Sequence, residues 1–575
     1  MSEVPSRFRR GEAGLALSPF NRRRFLHGSG VAAGSLTLSA AAGCGGKKRS
    51  SNAGGAQTSG AGATGAPNKG GMVTVSYNFR QGFDPHTDQA QDTGIMGLFY
   101  QTLVRYNPRT WEVEPEIAAH WETPSETELV VTLAPNIRFH DKPPASGRLL
   151  RPDDVVYSYQ RAQSPEPRFI NKSFLSSIDQ MQAVDERTLK LTLKRPDVTQ
   201  LSNLGIFSLA ILAREVVEAA KGGITAAENV VGTGAFLLQT SESNVGSTVV
   251  RNPAYFKPGL PYLDKVQLRA FQDYQSEWSA FLAGQLDHRF VPGENATQFA
   301  ADKTNQYRLA WFGDLAYGIA QPNTRVKPLD DPRVTRALRL LIDHDGFKTG
   351  WANNWWGRSR FSACFAAATA DQWDLSEDEY RQHLEWKQPK DDAIREALTL
   401  LSAAGFSKAN PLKFTVSCSS GNATESSSGQ LAQAQFKQNG QGALDPGLKV
   451  TDSASFNQIR AAGDFDYWVG GHSSGGTDPD TFFTSTYATG GGRNYGKMSD
   501  PKLDDMIAKQ RTMFDEKQRK QAVRDIVLYM IDNIPYSTLV SRYVLNAAQL
   551  RVHDLPAASQ SFDWGSRYES VWVDR

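Results

Sequence analysis

Three cysteines in 575 residues are too few to build a disulfide scaffold. The nine histidines stand singly, at 27, 86, 120, 140, 288, 344, 383, 472 and 553, with no H-x-x-x-H and no C-x-x-C. Local spacing therefore makes no zinc or nickel site, and we expect no metal and no cofactor. No apolar run is long and clean enough to cross a hydrocarbon layer about 30 Å thick. No segment repeats at a fixed period, which excludes solenoids and propellers. An excess of one charge is missing too. The formal net charge is +2, and beyond the first 43 residues, which hold six arginines and two acids, 57 basic residues face 59 acidic ones. That balance does not suit a nucleic-acid binder. What remains is the composition of a soluble globular protein, 40% hydrophobic and 22% charged, too long for one core and consistent with two to four domains.

The arginines of the first 43 residues have a pattern. Asn21 to Leu26 reads NRRRFL, similar to the R-R-x-F-L core of twin-arginine export signals, and a short Gly/Ala/Ser-rich apolar run follows from Val31 to Ala42. The run ends in LSAAAGC, which resembles the lipobox of bacterial lipoproteins; this implies residues 1–43 as a removable signal and Cys44 as the lipidated new N-terminus. Residues 44–70 are a Gly/Ala/Ser tract that cannot bury enough apolar area to fold, and we expect a flexible tether. Cys364 and Cys418 remain, and spacing leaves both a bridge and two free thiols open.

Beyond the tether, strand and helix signals alternate. MVTVSY (Met72–Tyr77) and ELVVTLAP (Glu128–Pro135) read as strands by alternation and β-branching. DPRVTRALRLLIDHDGF reads as one helix capped by Asp331 with Pro332 at its first position. DDAIREALTLLSAAG reads as a helix closed by Gly405, and EKQRKQAVRDIVLYMIDNIP as one stopped by Pro535. Asp153 is expected to cap a helix starting near Asp154, with Val155, Tyr159 and Ala162 on its apolar face. Gly232 and Gly234 in VGTGAF suit a turn with positive φ, and the motif lacks the spacing of a phosphate loop.

Several stretches together, GLFYQTLVRYNPRTWEVEPEIAAHWE, NIRFHDKPP with LRPDDVVYSYQRA, VGTGAF, RNPAYFKPGLPYLDKVQLRAF, FLAGQLD, DDPRVTRALRLLID and DYWVGGHSSGGTDPDTFF, resemble in content and order the extracellular solute-binding proteins of peptide, nickel and opine ABC importers, solute-binding family 5. The resemblance covers about residues 70–572. It implies an α/β fold of the periplasmic-binding-protein type II class, a two-lobed clamp with an extra small domain on the first lobe. Lobe 1 would be 70–317 plus 535–575, with the extra subdomain at about 113–224, and lobe 2 would be 318–534, so the chain would cross between lobes near Gly318 and Asn533. The resemblance also implies partners: a peptide or other small solute, and permease subunits with their ATPases. We expect a monomer that meets the membrane through its lipid and binds no nucleic acid.

The stretch DYWVGGHSSGGTDPDTFF (Asp466–Phe483) contains G-x-S-x-G at Gly471–Gly475, the pattern of a hydrolase nucleophile elbow. An elbow needs a helix to begin at the serine, and Gly475-Gly476-Thr477-Asp478-Pro479 places the helix start at Pro479 with Asp478 as cap. A Ser473 hydrolase using His553 or Asp554 is therefore the lesser reading, and no catalytic residue is expected. Asp478 and Asp480 lack the ligand spacing of a calcium loop. The resemblance implies instead a cleft wall. In peptide-binding members an aspartate after this strand holds the ligand's amine, and dipeptide binders add an arginine after the strand matching Lys413 to Ser417. Here Gly475 and the Cys418–Gly421 segment occupy those places, so both ionic anchors are missing and a strict dipeptide receptor is disfavoured. Ser419, His472, Ser473, Ser474 and Gly475 would offer amides and hydroxyls. WANNWWGRSRF adds Trp355 and Trp356 as aromatic walls and Arg358 as an anion contact. Trp468, Asn494 and Tyr495 complete the candidates. A sensor or adhesion lipoprotein on the same fold is a further alternative.

Overall fold

The computed structural model describes residues 66–574, except 77–81, 88–92, 108–110, 167–168, 170–171, 222, 243, 272, 292, 352–357, 421–422, 474–475 and 556–567. The signal, Cys44, Trp355, Trp356, Ser474 and Gly475 lie outside the described residues. The described chain is pinned from its start: the Gly70 amide donates to the Tyr262 carbonyl at 2.7 Å, and strand Met72–Ser76 pairs in parallel with Lys265–Arg269.

The fold is mixed α/β and of the two-lobed binding-protein class. Its main sheet has eleven strands. Ten run in the order Leu444–Thr451, Leu412–Ser419, Tyr467–Ser473, Tyr307–Pro322, Ser537–Gln549, His288–Phe290, Met72–Ser76, Lys265–Arg269, Gly246–Arg251 and Phe236–Glu242, and Arg358–Arg360 pairs beside Ser537–Gln549. The two central strands are the longest and cross antiparallel from one side of the sheet to the other. Their register slips in the middle: Gly313 faces Tyr543 but Tyr317 faces Ser541, so Asp314, Leu315 and Ala316 stand against Arg542 alone. This bulge is fixed by chemistry. The buried Asp314 carboxylate accepts from Arg542 Nε at 2.6 Å and from the Leu315 amide at 2.8 Å, and a Cβ on Gly313 would come within 2.5 Å of the Ala368 nitrogen.

Each side of the crossing has its own core, as period-two burial demands. One core gathers Val73, Val75, Phe99, Phe236, Val266 and Leu268. On the other side Trp468 and Ile319 face a layer with Phe482, Val527 and Ile531, while Tyr467, Val469 and Val416 face the opposite layer with Leu338 and Phe436. A separate four-stranded antiparallel sheet, Ala118–Ser125, Glu128–Leu133, Thr188–Leu193 and Ile178–Ala183, packs its own core with Val155 and Tyr159.

Most local expectations hold and three need correction. Asp331 caps helix Pro332–Leu341, but the chain breaks there and a second helix, His344–Trp351, follows. The helix expected near Asp154 begins at Pro152, with Arg151 as N-cap and Asp154 accepting from the Arg151 amide; proline at the first position moves the start two residues upstream. Gly232 and Gly234 do not adopt positive φ; a side chain there would run into the Phe99 and Leu98 carbonyls, so close backbone packing demands them. Cys364 and Cys418 are free and buried. No helix among the described residues is long and apolar enough to cross a membrane.

Candidate functional site

Strand Tyr467–Ser473 forms because Tyr-Trp-Val favours a half-buried pleat, and it pairs antiparallel with the crossing strand from Pro322↔Tyr467 to Ala316↔Ser473. Two glycines follow the aromatic pair for a local reason. A Cβ on Gly470 would lie 2.9 Å from Trp468 Cζ2, so the indole lies along the backbone where a side chain would stand. The Gly471 amide donates to Glu425 Oε1 at 3.1 Å.

The indole and the His472 imidazole meet at 4.9 Å between ring centres, and Tyr495 stands edge-on to both at 5.7 Å. Tyr317 closes the group, 5.9 Å from His472. Two arginines enter this cluster. Arg460, on helix Ser453–Ala462, places Cζ 4.5 Å from the centre of Tyr495 and 5.6 Å from that of Trp468. Arg493 donates through Nη1 to the Ser473 carbonyl, and its own carbonyl accepts from Gln321 Nε2 at 3.2 Å. Burial, with both guanidiniums nearby, holds the His472 imidazole well below its usual pKa, so it is neutral at neutral pH. Burial also lowers the Arg493 pKa, and Arg460 adds to the effect by like-charge repulsion. Among the described residues neither guanidinium has a carboxylate within ion-pair distance; their partners are Asn457 Oδ1, the Ser473 carbonyl and aromatic faces. Trp468 Nε1, His472 Nε2 and Arg460 Nε are buried and have no hydrogen-bond partner among the described residues.

Downstream of this wall the chain meets residues from the other side of the crossing. Asp478 caps helix Pro479–Phe482 by accepting from the Asp480 amide at 2.9 Å, and it binds Arg519 through both guanidinium arms, at 2.6 and 2.8 Å. Arg511 Nη2 lies 3.3 Å from both Asp197 and Asp480, and its carbonyl accepts from the Val198 amide at 2.8 Å. Burial, helped by Asp478 and Asp197 and opposed by Arg511 and Arg519, pushes Asp480 up to about 6. Tyr106 donates to the Ser202 carbonyl at 2.7 Å, and its hydroxyl oxygen lies 3.1 Å from where a Cβ on Gly476 would be.

The sequence candidates divide. Trp468, His472, Ser473 and Tyr495 come together. Asn494 is consumed by its turn: Nδ2 donates to the Ala488 and Met498 carbonyls, and Oδ1 accepts from the Met498 amide and the Tyr536 hydroxyl, leaving nothing for a guest. Ser419 is buried with Oγ 3.1 Å from Ser453 Oγ. Arg358 stands exposed over the Trp311 ring at 4.5 Å. For the hydrolase reading, Ser473 ends a strand and among the described residues the next helix begins at Pro479, while His553 is engaged by Asp574 at 2.8 Å and stacked on Trp572 at 3.8 Å. Sequence reasoning did not single out Arg460 and Arg493, which the fold adds to this cluster.

Comparison with known proteins places these features in a wider set. Residues 112–494 match the bacterial extracellular solute-binding proteins, family 5 Middle. The periplasmic murein peptide-binding protein MppA of Escherichia coli K12 is 25% identical over 441 residues, 72% of this chain and 76% of that protein. Among solved structures, Haemophilus influenzae OppA in complex with RPPGFSPFR superposes with TM-score 0.75 at 19% identity, covering 89% of this chain and all of that one. The binding protein AgaA of A. tumefaciens R10 in complex with agropinic acid gives 0.74 at 21% identity, covering 88% and 99%.

Proposed function

The chain belongs to the bacterial extracellular solute-binding proteins, family 5, and from that premise we propose that it is the receptor lipoprotein of an ABC importer. It captures a peptide-like or other small hydrophilic solute between two lobes and hands it to a membrane permease driven by ATPases. It performs no chemistry on that solute. The observation that carries this reading is the wall around His472 and Trp468. It ends in a segment whose neighbours, Tyr106 and Asp197, come from the opposite side of the strand crossing. A guest in such a place touches both halves, so it favours the shut state over the open one.

In this reading lobe 1 comprises residues 70–317 and 535–575, lobe 2 comprises 318–534, and the bulge at Gly313–Tyr317 is the point where the lobes turn on each other. Cys44 carries the lipid that holds the receptor outside the cytoplasmic membrane. The names of the relatives support a peptide-like guest, and AgaA, whose complex holds agropinic acid, supports the wider class. Native mass spectrometry of freshly purified protein tests the proposal. It should show a small molecule bound one to one, and calorimetry should then give its affinity. A protein that purifies empty and takes up nothing from a peptide and small-metabolite library contradicts it. Trp355→Ala or Trp356→Ala should weaken the co-purified guest at least tenfold, about 1.4 kcal/mol. A Cys44→Ser variant should leave the membrane fraction.

A further inference from the structure

We propose that closing the lobes takes up one proton at the junction where Asp197 of lobe 1 and Asp480 of lobe 2 share the guanidinium of Arg511, so that capture is stronger in acidic surroundings; the proposal rests on the two-lobed receptor reading and adds a regulation to it. Five charged groups meet there, the carboxylates of Asp197, Asp478 and Asp480 and the guanidiniums of Arg511 and Arg519. Arg519 is spent: both arms hold Asp478, and Nε donates to Gln510 Oε1 at 2.9 Å. Asp197 and Asp480 are left with one cation between them, Arg511 Nη2, which lies 3.3 Å from an oxygen of each, and none of these three side chains is more than 5% exposed. Among the described residues no other cation lies within ion-pair distance of either acid. Two buried carboxylates on one guanidinium leave the cluster one positive charge short, and a proton supplies it.

The cluster ties the two lobes by backbone as well as by charge, because the Val198 amide donates to the Arg511 carbonyl at 2.8 Å. Each acid is held from its own side. Asp197 Oδ1 accepts from the Thr199 amide at 3.0 Å and from its hydroxyl at 2.7 Å, and Asp480 accepts from Gln510 Nε2 at 2.8 Å and from Thr484 Oγ1 at 3.1 Å. Asp197 Oδ2 and Arg511 Nε and Nη2 are buried with no hydrogen-bond partner among the described residues, so these charges face each other at ionic distance without alignment. Opening withdraws Asp197 with lobe 1. Asp480 then has Arg511 to itself, one charge against one, and water enters. Closing presses the second carboxylate back against the same guanidinium and drives a proton on. Burial, opposed by Arg511 and Arg519 and helped by Asp478 and Asp197, pushes Asp480 up to about 6 in the closed arrangement, while Tyr106, kept neutral by burial and by Asp478, adds no charge. The open form releases that proton near the ordinary aspartate value of about 4, so the gain in closure is full below it and is lost as pH rises through about 6.

The test uses the full chain carrying Cys44→Ser, freed of guest by unfolding and refolding, with spin labels on Val184→Cys in lobe 1 and Ser402→Cys in lobe 2, both exposed positions, while the native Cys364 and Cys418 are buried. Distances between the labels are measured at pH 5 and pH 7.5. With the native junction two distances should appear, and the ratio of short to long should be at least fivefold higher at pH 5. Asp480→Asn, which stands for the protonated acid, should hold the ratio of pH 5 at both values. Asp197→Asn leaves Asp480 alone with Arg511 and should also remove the pH response, so the test stands even where Asp480→Asn does not fold. A ratio that ignores pH in the native junction, a single distance at both pH values, or a pH response retained in either variant overturns the coupling. Infrared difference spectra give a second readout: at pH 5 the native junction should show the carbonyl band of a buried carboxylic acid that Asp480→Asn lacks, and identical spectra overturn the assignment of the proton. The receptor reading is judged apart from these results, since it survives them if native mass spectrometry finds a bound guest.

Discussion

Buried and half-buried arginines in this protein come in two kinds, and the two kinds differ in what completes them. Arg519 grips Asp478 with both arms, Arg542 holds Asp314 in the strand bulge, and Arg339 reaches Glu385 at 2.5 Å while donating to the Met530 and Ile534 carbonyls. Each is completed by the chain itself. Arg460 and Arg493 lie on the same side of the crossing and are completed by rings, the Asn457 side-chain oxygen and the Ser473 carbonyl, with no acid within ion-pair distance among the described residues. The first kind is scaffold: burial would raise the Glu385 pKa, but Arg339 and His344 pull it down to about 2, so the pair remains ionic inside the fold. The second kind has rings, an amide oxygen and a carbonyl in place of an acid. Position in the sequence does not separate the two; the presence of a partner does.

The largest effect should come from breaking a completed pair. Arg339→Ala takes from the buried Glu385 carboxylate its closest cation, leaving His344 and the more distant Arg336, and should cost about 3 kcal/mol of stability by urea unfolding. A loss below 1 kcal/mol would erase the distinction between completed and uncompleted arginines. Next comes the junction acid. Because burial holds Asp480 at about 6, above an ordinary aspartate, the folded chain keeps a proton there that the unfolded chain releases near pH 4. Stability from this group is full below pH 4 and falls as pH rises through 6. The groups facing it, Arg511, Arg519, Asp478 and Asp197, set the size of the effect. Asp480→Asn should therefore remove a fall on the order of 2 kcal/mol between pH 4 and 6.5, read as urea midpoints across that range. Identical pH profiles in variant and wild type would show that Asp480 titrates normally.

Smaller still, Arg460→Lys keeps the charge and loses the flat guanidinium that lies against Tyr495 and Trp468. It should weaken the co-purified guest several-fold, roughly 1 kcal/mol, with unfolding unchanged. A wild-type affinity would mean that charge alone matters. The smallest effect belongs to an exposed pair: Lys509→Ala breaks the i,i+4 contact with Asp505 and should change stability by less than about 0.5 kcal/mol.

The fold was legible in the sequence where local chemistry decides it. Asp331, Asp478 and Gly405 mark helix ends by capping, and alternation marks Met72–Ser76 and Glu128–Leu133. It was less legible where distant backbone intrudes, as at Gly232 and Gly234, whose role depends on the Leu98–Phe99 carbonyls more than a hundred residues away. The site followed the same rule. Trp468, His472 and Tyr495 belong to stretches that stand out by composition, and the folded chain brings their rings together. Asn494 stood out equally and turned out to be spent on its own turn. Arg460 and Arg493 look ordinary in a chain with 63 basic residues, because being unpaired is a property of three-dimensional neighbours.

Solution X-ray scattering of guest-free protein, before and after adding back the molecule it purifies with, tests the central claim most directly. If the two lobes shut on a guest that both need, the radius of gyration contracts on addition in the wild type, and Arg493→Gln requires far more guest for the same contraction. An unchanged radius in the wild type, with guest bound by calorimetry, would contradict the account.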